Sequence, residues 1–326
     1  MPHNPPTGGS RSGRIRTLAT ASAIALVGPA VITLAPAAPA AAAVDCSTVA
    51  WMDTSMTPEQ RADALLAASS QGQKYRWLVE QPANSPTQTS WPGGVVYPLQ
   101  VDCTPTVVYT DGPDGVRSPE GVTAFPTQIS LASTWNTALA EEKGTAQADE
   151  AFDMRRNGVL GPGVASSRTP LSGRTPEYLG EDSVLAGNLA AGMIEGLQAP
   201  TGDRAVMADL KHYVANEQET DRTTSSSNVS ERALREIYEL PVEIAVSASQ
   251  PSSVMCSYNQ INGTYACEND RLTDVLKDDF GLDGYVVSDF GAVHSTAKAL
   301  MSGLDQELNR PRFFTPALLD AALAAG

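Results

Sequence analysis

Short apolar runs that stop abruptly on a charged or polar residue recur along this chain, separated by stretches whose apolar positions fall at helical spacing. Tyr285-Val-Val-Ser ends on Asp289, with Phe290 and Gly291 next. Thr106-Val-Val-Tyr-Thr ends on Asp111, followed by Gly112 and Pro113. Ala205–Leu210 delivers Lys211 and His212, Ser253-Val-Met-Cys-Ser delivers Tyr258, and Val159-Leu160 breaks at Gly161-Pro162 before a polar loop with Arg168, Arg174 and Glu177. Runs of this length and make-up predict buried strands with polar tips. Between them the pattern predicts helices over 130–158, 184–198, 230–248 and 270–280, with a last helix starting at Pro316. An earlier helix over 57–70 opens on Thr57 as cap, Pro58 in the first turn and an acidic residue, Glu59, read as a capping box. Gln71–Pro105 reads as irregular chain, and Ser302–Asp305 as a final short strand.

Strands alternating with helices imply parallel β/α units. Tips that gather polar groups at one end are the arrangement of an α/β (β/α)8 TIM-like barrel with its site at the C-terminal face. A doubly wound open sheet is the alternative, but no GxGxxG or Walker-type loop follows any strand. Taken alone, Asp289 also fits the cap of a following helix.

Composition changes the picture in three ways. In residues 1–43, Arg11, Arg14 and Arg16 precede an apolar stretch from Leu18 to Leu34 and small residues around Ala41–Ala43, the pattern of a secretory signal peptide. The expected product is secreted, with residues 44–326 as one catalytic barrel. Removing the leader takes away three arginines and no acid, so the net charge moves from -15 to -18. That acidity argues against nucleic acid and anionic membrane as partners. Four cysteines in an exported chain permit three pairings. Cys256 and Cys267 bracket a turn-rich segment, and a bridge there leaves Cys46 with Cys103; four free thiols are the other option. Without Cys-x-x-Cys, and with His212 and His294 the only histidines after the leader, no metal or cofactor is expected.

Carboxylates, arginines, a Lys-His pair and a tyrosine on converging tips suit a neutral polyhydroxylated ligand, since they offer both acceptors and donors to hydroxyls. An aspartate near Arg174 and Lys211 stays ionised, as a nucleophile requires. Each residue also has a structural reading: Lys211 and Asp111 as an ion pair, Tyr258 as core, His212 as a satisfied buried histidine.

Five blocks then stand in order: DGPDGVR from Asp111, SGRTPEYLGED from Ser172, LKHYVANEQETDR from Leu210, SVMCSYNQINGTYACEN from Ser253, and VVSDFGAVHS to Ser295. Together they resemble glycoside hydrolase family 3, in particular its β-glucosidases. The resemblance implies Asp289 as the catalytic nucleophile of a retaining glycosidase. It implies Asp111, Arg174, Lys211 and His212 as contacts to sugar hydroxyls, and Met255, Tyr258 and Phe290 as walls of the same pocket. Phe290 falls where many members of the family have tryptophan. The chain lacks the KHFPGHG-like loop of the β-N-acetylglucosaminidase branch and the WxExxHG-like block of the xylosidase branch, which leaves β-glucosidase as the implied activity.

In that branch the general acid/base is a glutamate on a C-terminal α/β sandwich domain, expected beyond residue 326 and absent from this sequence. Glu177 and Glu307 are the stand-ins within the chain, and neither corresponds to the family's acid. The expected function is release of terminal nonreducing β-D-glucosyl residues from a β-glucoside or oligosaccharide, with this chain weakly active or inactive alone. A non-catalytic sugar-binding fragment is the alternative, and an aldolase-like barrel with a Schiff base on Lys211 a weaker one.

Overall fold

The computed structural model describes residues 44–80, 89–90, 95–117, 120–202, 204–309 and 311–326. The expected signal peptide, residues 1–43, lies outside them. Helix α1 (Pro58–Ala68) begins as read, except that its capping box is closed by Gln60, three residues after Thr57, and not by Glu59. The segment read as irregular holds helix α2 (Gln71–Trp77), which has a capping box of its own between Ser70 and Gln73. The expected helix over 130–158 is two helices. Gln128–Ala132 ends at a turn where Trp135 takes a positive φ, and α3 (Thr137–Asp153) starts anew on the Asn136 cap.

Five strands form one wholly parallel sheet: β1 (Tyr109–Asp111), β2 (Gly158–Leu160), β3 (Met207–Tyr213), β4 (Ser253–Cys256) and β5 (Tyr285–Ser288). They lie side by side in chain order. A doubly wound sheet reverses its order at a switch point, and this one does not. Among the described residues no ladder joins β1 to β5, so a closed eight-stranded barrel is not found. Beyond β5 there are only isolated parallel bridges, Val287 with Gln306 and Val79 with Glu307. The expected strand at 302–305 therefore gives way to single bridging residues one step later. The Tyr109 and Tyr285 hydroxyls nevertheless hydrogen-bond to each other, so the outermost strands β1 and β5 meet through side chains.

Helices α3, α4 (Ser183–Gln198) and α5 (Leu240–Ser249) cover the sheet. α3 and α4 approach at backbone distance: a Cβ on Gly196 would stand 2.0 Å from the Glu141 carbonyl, and one on Gly144 2.4 Å from that of Met193. Only glycine permits that contact. The helix expected over 230–248 is interrupted by a π segment, Leu234–Glu239, ahead of Pro241. Proline has no N–H for the Ile237 carbonyl, and the Ser183 hydroxyl donates to it instead at 2.8 Å. α6 (Pro316–Ala325) closes the described chain.

Both expected disulfides are present, Cys46–Cys103 and Cys256–Cys267. The second clips the hairpin of Gln260–Ile261 and Thr264–Tyr265 to the end of β4. Among the described residues no helix is long and apolar enough to cross a membrane.

Candidate active site at the strand tips

Asp289 follows directly on β5. Its backbone N–H donates to the Cys256 carbonyl at 3.1 Å, so the β4–β5 ladder runs one residue past the strand and fixes where the side chain starts. Asp289 as a whole is 5% exposed. Oδ1 accepts from the Tyr258 hydroxyl and from the Phe290 backbone N–H, each at 2.6 Å. Oδ2 lies 3.2 Å from His212 Nε2. Burial alone would raise the carboxyl's pKa, but the hydrogen bonds from His212 and Tyr258 and the charge of Lys211 outweigh it. The group is held well below the usual carboxylate range.

His212 is pushed down to about 4, burial outweighing the pull of Asp289, so the imidazole is neutral near pH 7. A neutral ring has one N–H. Giving that proton to Nε2 satisfies Asp289 and leaves Nδ1 to accept from the Tyr178 hydroxyl at 3.2 Å. Lys211 and His212 are consecutive in β3, and consecutive strand residues ordinarily face opposite ways. Here the Lys211–His212 peptide is cis and the β3–β4 register slips between Lys211 and Tyr213, and across this irregular step both side chains join one cluster.

The cluster runs on from there. Arg174 Nη2 stands 3.0 Å from His212 Nε2. Arg174 also forks onto Glu177 through Nε and Nη2 at 2.7 and 2.8 Å. Lys211 Nζ is 3.1 Å from Glu177 and 3.7 Å from Asp111, whose other oxygen takes Arg117 at 2.9 Å. Burial would raise Glu177, but Arg174 and Lys211 hold it at about 2, so it is an anion. A cleft of about 510 Å³ opens over the Asp111–Arg117 loop, Arg174 and Glu177. Asp289 is not in its lining; it is reached one layer deeper, through Arg174 and His212.

Six of the eight residues singled out from the sequence therefore meet in one contact chain: Asp289, Tyr258, His212, Arg174, Lys211 and Asp111. Phe290 is 41% exposed beside Asp289. Met255 packs with Tyr109, Leu160, Val287 and Leu308, and stands opposite Lys211 in the β3–β4 ladder. Glu307 is spent elsewhere, accepting from the backbone N–H groups of Arg312, Phe313 and Phe314. Three further members were not picked out as binding residues. They are Glu177, which the sequence offers as a loop residue and a stand-in acid, and two residues inside the quoted blocks, Tyr178 and Arg222, the latter 4.1 Å over the Tyr258 ring. The spacing of Arg174 and Glu177 in a short helical turn was the available signal for that pair.

Residues 98–312 match the model described as the glycosyl hydrolase family 3 N terminal domain. The chain is 43% identical over 218 residues to an exo-alpha-(1->6)-L-arabinopyranosidase of Bifidobacterium longum, covering 63% of this chain and 28% of the relative. It is 47% identical over 213 residues to beta-glucosidase B of Emericella nidulans, covering 64% and 25%. The chain thus spans about a quarter of the length of these relatives. Among solved structures, the Bifidobacterium adolescentis GH3 beta-glucosidase aligns with TM-score 0.70 and 37% identity over 79% of this chain and 36% of that one. The Thermotoga neapolitana beta-glucosidase 3B in complex with glucose aligns with TM-score 0.70 and 34% identity over 81% and 39%. With the matched span covering most of residues 44–326 and the site residues gathered on it, the chain belongs to glycosyl hydrolase family 3.

Proposed function

We propose that the chain carries the nucleophile and the sugar-binding floor of a secreted retaining β-glucosidase. The observation that supports this most is Asp289: a buried carboxylate kept ionised by three directed donors at a strand tip, opening through Arg174 onto a polar cleft. In this reading the strand order is one arc of a (β/α)8 barrel over residues 44–326, and the two disulfides fit an oxidising compartment.

Oδ1 is occupied by two donors, which leaves Oδ2 with the freer lone pair. That oxygen attacks the anomeric carbon, the bond to the leaving oxygen breaks, and a glucosyl ester forms. Water then attacks the same carbon and releases glucose with its configuration retained. Asp111, Arg174, Lys211 and His212 hold the hydroxyls of the terminal sugar, with Phe290 and Tyr258 as its walls. The leaving oxygen needs a proton. Glu177 is an anion and Glu307 is saturated by backbone donors, so that proton comes from another group.

A second substrate reading rests on the arabinopyranosidase relative. An α-L-arabinopyranoside offers Asp289 the same equatorial anomeric bond and lacks only the hydroxymethyl arm with a changed 4-hydroxyl. Comparing kcat/KM for nitrophenyl β-D-glucoside and nitrophenyl α-L-arabinopyranoside decides between them. The role of Asp289 is tested with Asp289→Ala, dinitrophenyl β-glucoside and azide. The expected product is α-glucosyl azide; β-glucosyl azide would make Asp289 the acid/base, and no azide product at all would sink the assignment.

A further inference from the structure

Helix α3 buries two polar side chains four residues apart on the face that packs beneath the cleft. Lys143 is 6% exposed and Gln147 0%, although lysine is almost never buried to that extent without a purpose for its donors. Lys143 Nζ donates to the Pro113 carbonyl at 2.6 Å, and Gln147 Nε2 donates to the Gly112 carbonyl. Those are the two carbonyls that follow Asp111. Gly112 has no Cβ for good reason, since one would stand 2.8 Å from Gln147 Nε2.

We propose that Lys143 and Gln147 are positioning residues: a two-pronged clamp, set one helical turn apart, that pins the Gly112–Pro113 backbone from behind and so holds Asp111 toward the sugar. The proposal rests on the reading of Asp111 as a sugar contact. Among the described residues the Asp111 carboxylate pairs with two side chains, the exposed Arg117 at 2.9 Å and, at the longer distance of 3.7 Å, Lys211, which stands closer to Glu177 at 3.1 Å. Its position is therefore set by the loop. Asp111 itself is tied by the ladder opposite Leu160 and by the Arg117 N–H, which donates to its carbonyl at 3.0 Å; within the loop the other fixed points are Gly115 N–H to the Gly112 carbonyl at 3.4 Å, and Gln128 N–H to Asp114 Oδ1 at 2.8 Å with Phe125 N–H to the Asp114 carbonyl at 3.0 Å, both further on.

The clamp also has a pH range. The charged group acting on Lys143 is Asp114 from the loop; Glu142, the preceding residue of α3, lines the same cavity of about 330 Å³, and the Phe125 ring is 6.0 Å away. Burial pulls the ammonium down to about 8, Asp114 opposing. Above that pH the charge-assisted bond to Pro113 becomes an ordinary one, and such bonds are roughly half as strong.

The test uses dinitrophenyl 2-deoxy-2-fluoro-β-glucoside, whose leaving group needs no acid, and separates its KI from its limiting rate of labelling. Lys143→Met should raise KI about ten-fold with the limiting rate within about two-fold. Wild-type KI should climb as pH passes 8, and the climb should vanish in Lys143→Arg, whose charge persists and whose extra bulk the adjoining cavity accepts. Amide hydrogen exchange at 111–117 should speed up in Lys143→Met while α3 and the sheet stay protected. Unchanged KI, a fall confined to the labelling rate, a pH climb that survives in Lys143→Arg, or unchanged exchange at 111–117 in folded protein would each overturn the clamp. If wild type takes no label, the functional reading falls, and the exchange measurement alone decides the clamp.

Discussion

Asp289 and Asp111 each finish a parallel strand of the same sheet, yet they are held by different means. Asp289 is buried and gripped at its own carboxylate by Tyr258, His212 and the Phe290 N–H. Asp111 is partly open to the cleft, and what is gripped is the backbone next to it. In the proposed function the difference follows from what each group does, Asp289 as nucleophile and Asp111 as acceptor of sugar hydroxyls. A nucleophile must be ionised and aimed, which needs donors on its oxygens in a site dry enough for them to count. A hydroxyl acceptor must leave its oxygens free for the ligand, so it is placed by its loop. His212 and Arg174 join the two regions, and the cluster alternates in charge from Asp289 through Arg174, Glu177 and Lys211 to Asp111.

The two aspartate regions should therefore fail differently when altered. Asp111→Ala removes hydroxyl acceptors without touching Asp289 and should cost on the order of 100-fold in labelling efficiency, nearly all of it in KI. A loss shared with the limiting rate would blur the contrast. Tyr258→Phe removes a donor from Asp289, the proposed nucleophile, and should slow the limiting labelling rate about ten-fold with KI nearly unchanged. It should also move the acid limb. Asp289 is held below its ordinary pKa, so its charge is present at all pH values above that lowered pKa; losing Tyr258 raises the pKa and brings the loss of rate in at higher pH. A limb that stays put would mean His212 and the Phe290 N–H suffice.

The sequence made the strand tips legible because an apolar run ending on Asp111 or Asp289 is a local signal. The Cys256–Cys267 bridge was legible for the same reason. Arg174's fork onto Glu177 was within reach of spacing, but the approach of Lys211 to both Glu177 and Asp111 depends on three strands meeting, which no window of sequence contains. The break at Trp135 is not legible because neither glycine nor proline marks it, whereas α2 does carry a local signal, the Ser70-x-x-Gln73 capping box, within a stretch whose Pro, Gly and Ser content reads as irregular. Lys143 and Gln147 look like the solvated face of an ordinary amphipathic helix until the loop above them is in place. The strand expected at 302–305 failed because the pairing groups are single residues, Gln306 and Glu307, and pattern alone cannot place a one-residue bridge.

One carboxylate, that of Asp289, carries the proposed chemistry. Incubating the protein with dinitrophenyl 2-deoxy-2-fluoro-β-glucoside and mapping the adduct by peptide mass spectrometry should show one fluoroglucosyl group, attached at Asp289, with one equivalent of dinitrophenolate released. An adduct on another residue, such as Glu177, or a protein of unchanged mass after full exposure to the reagent, would contradict it.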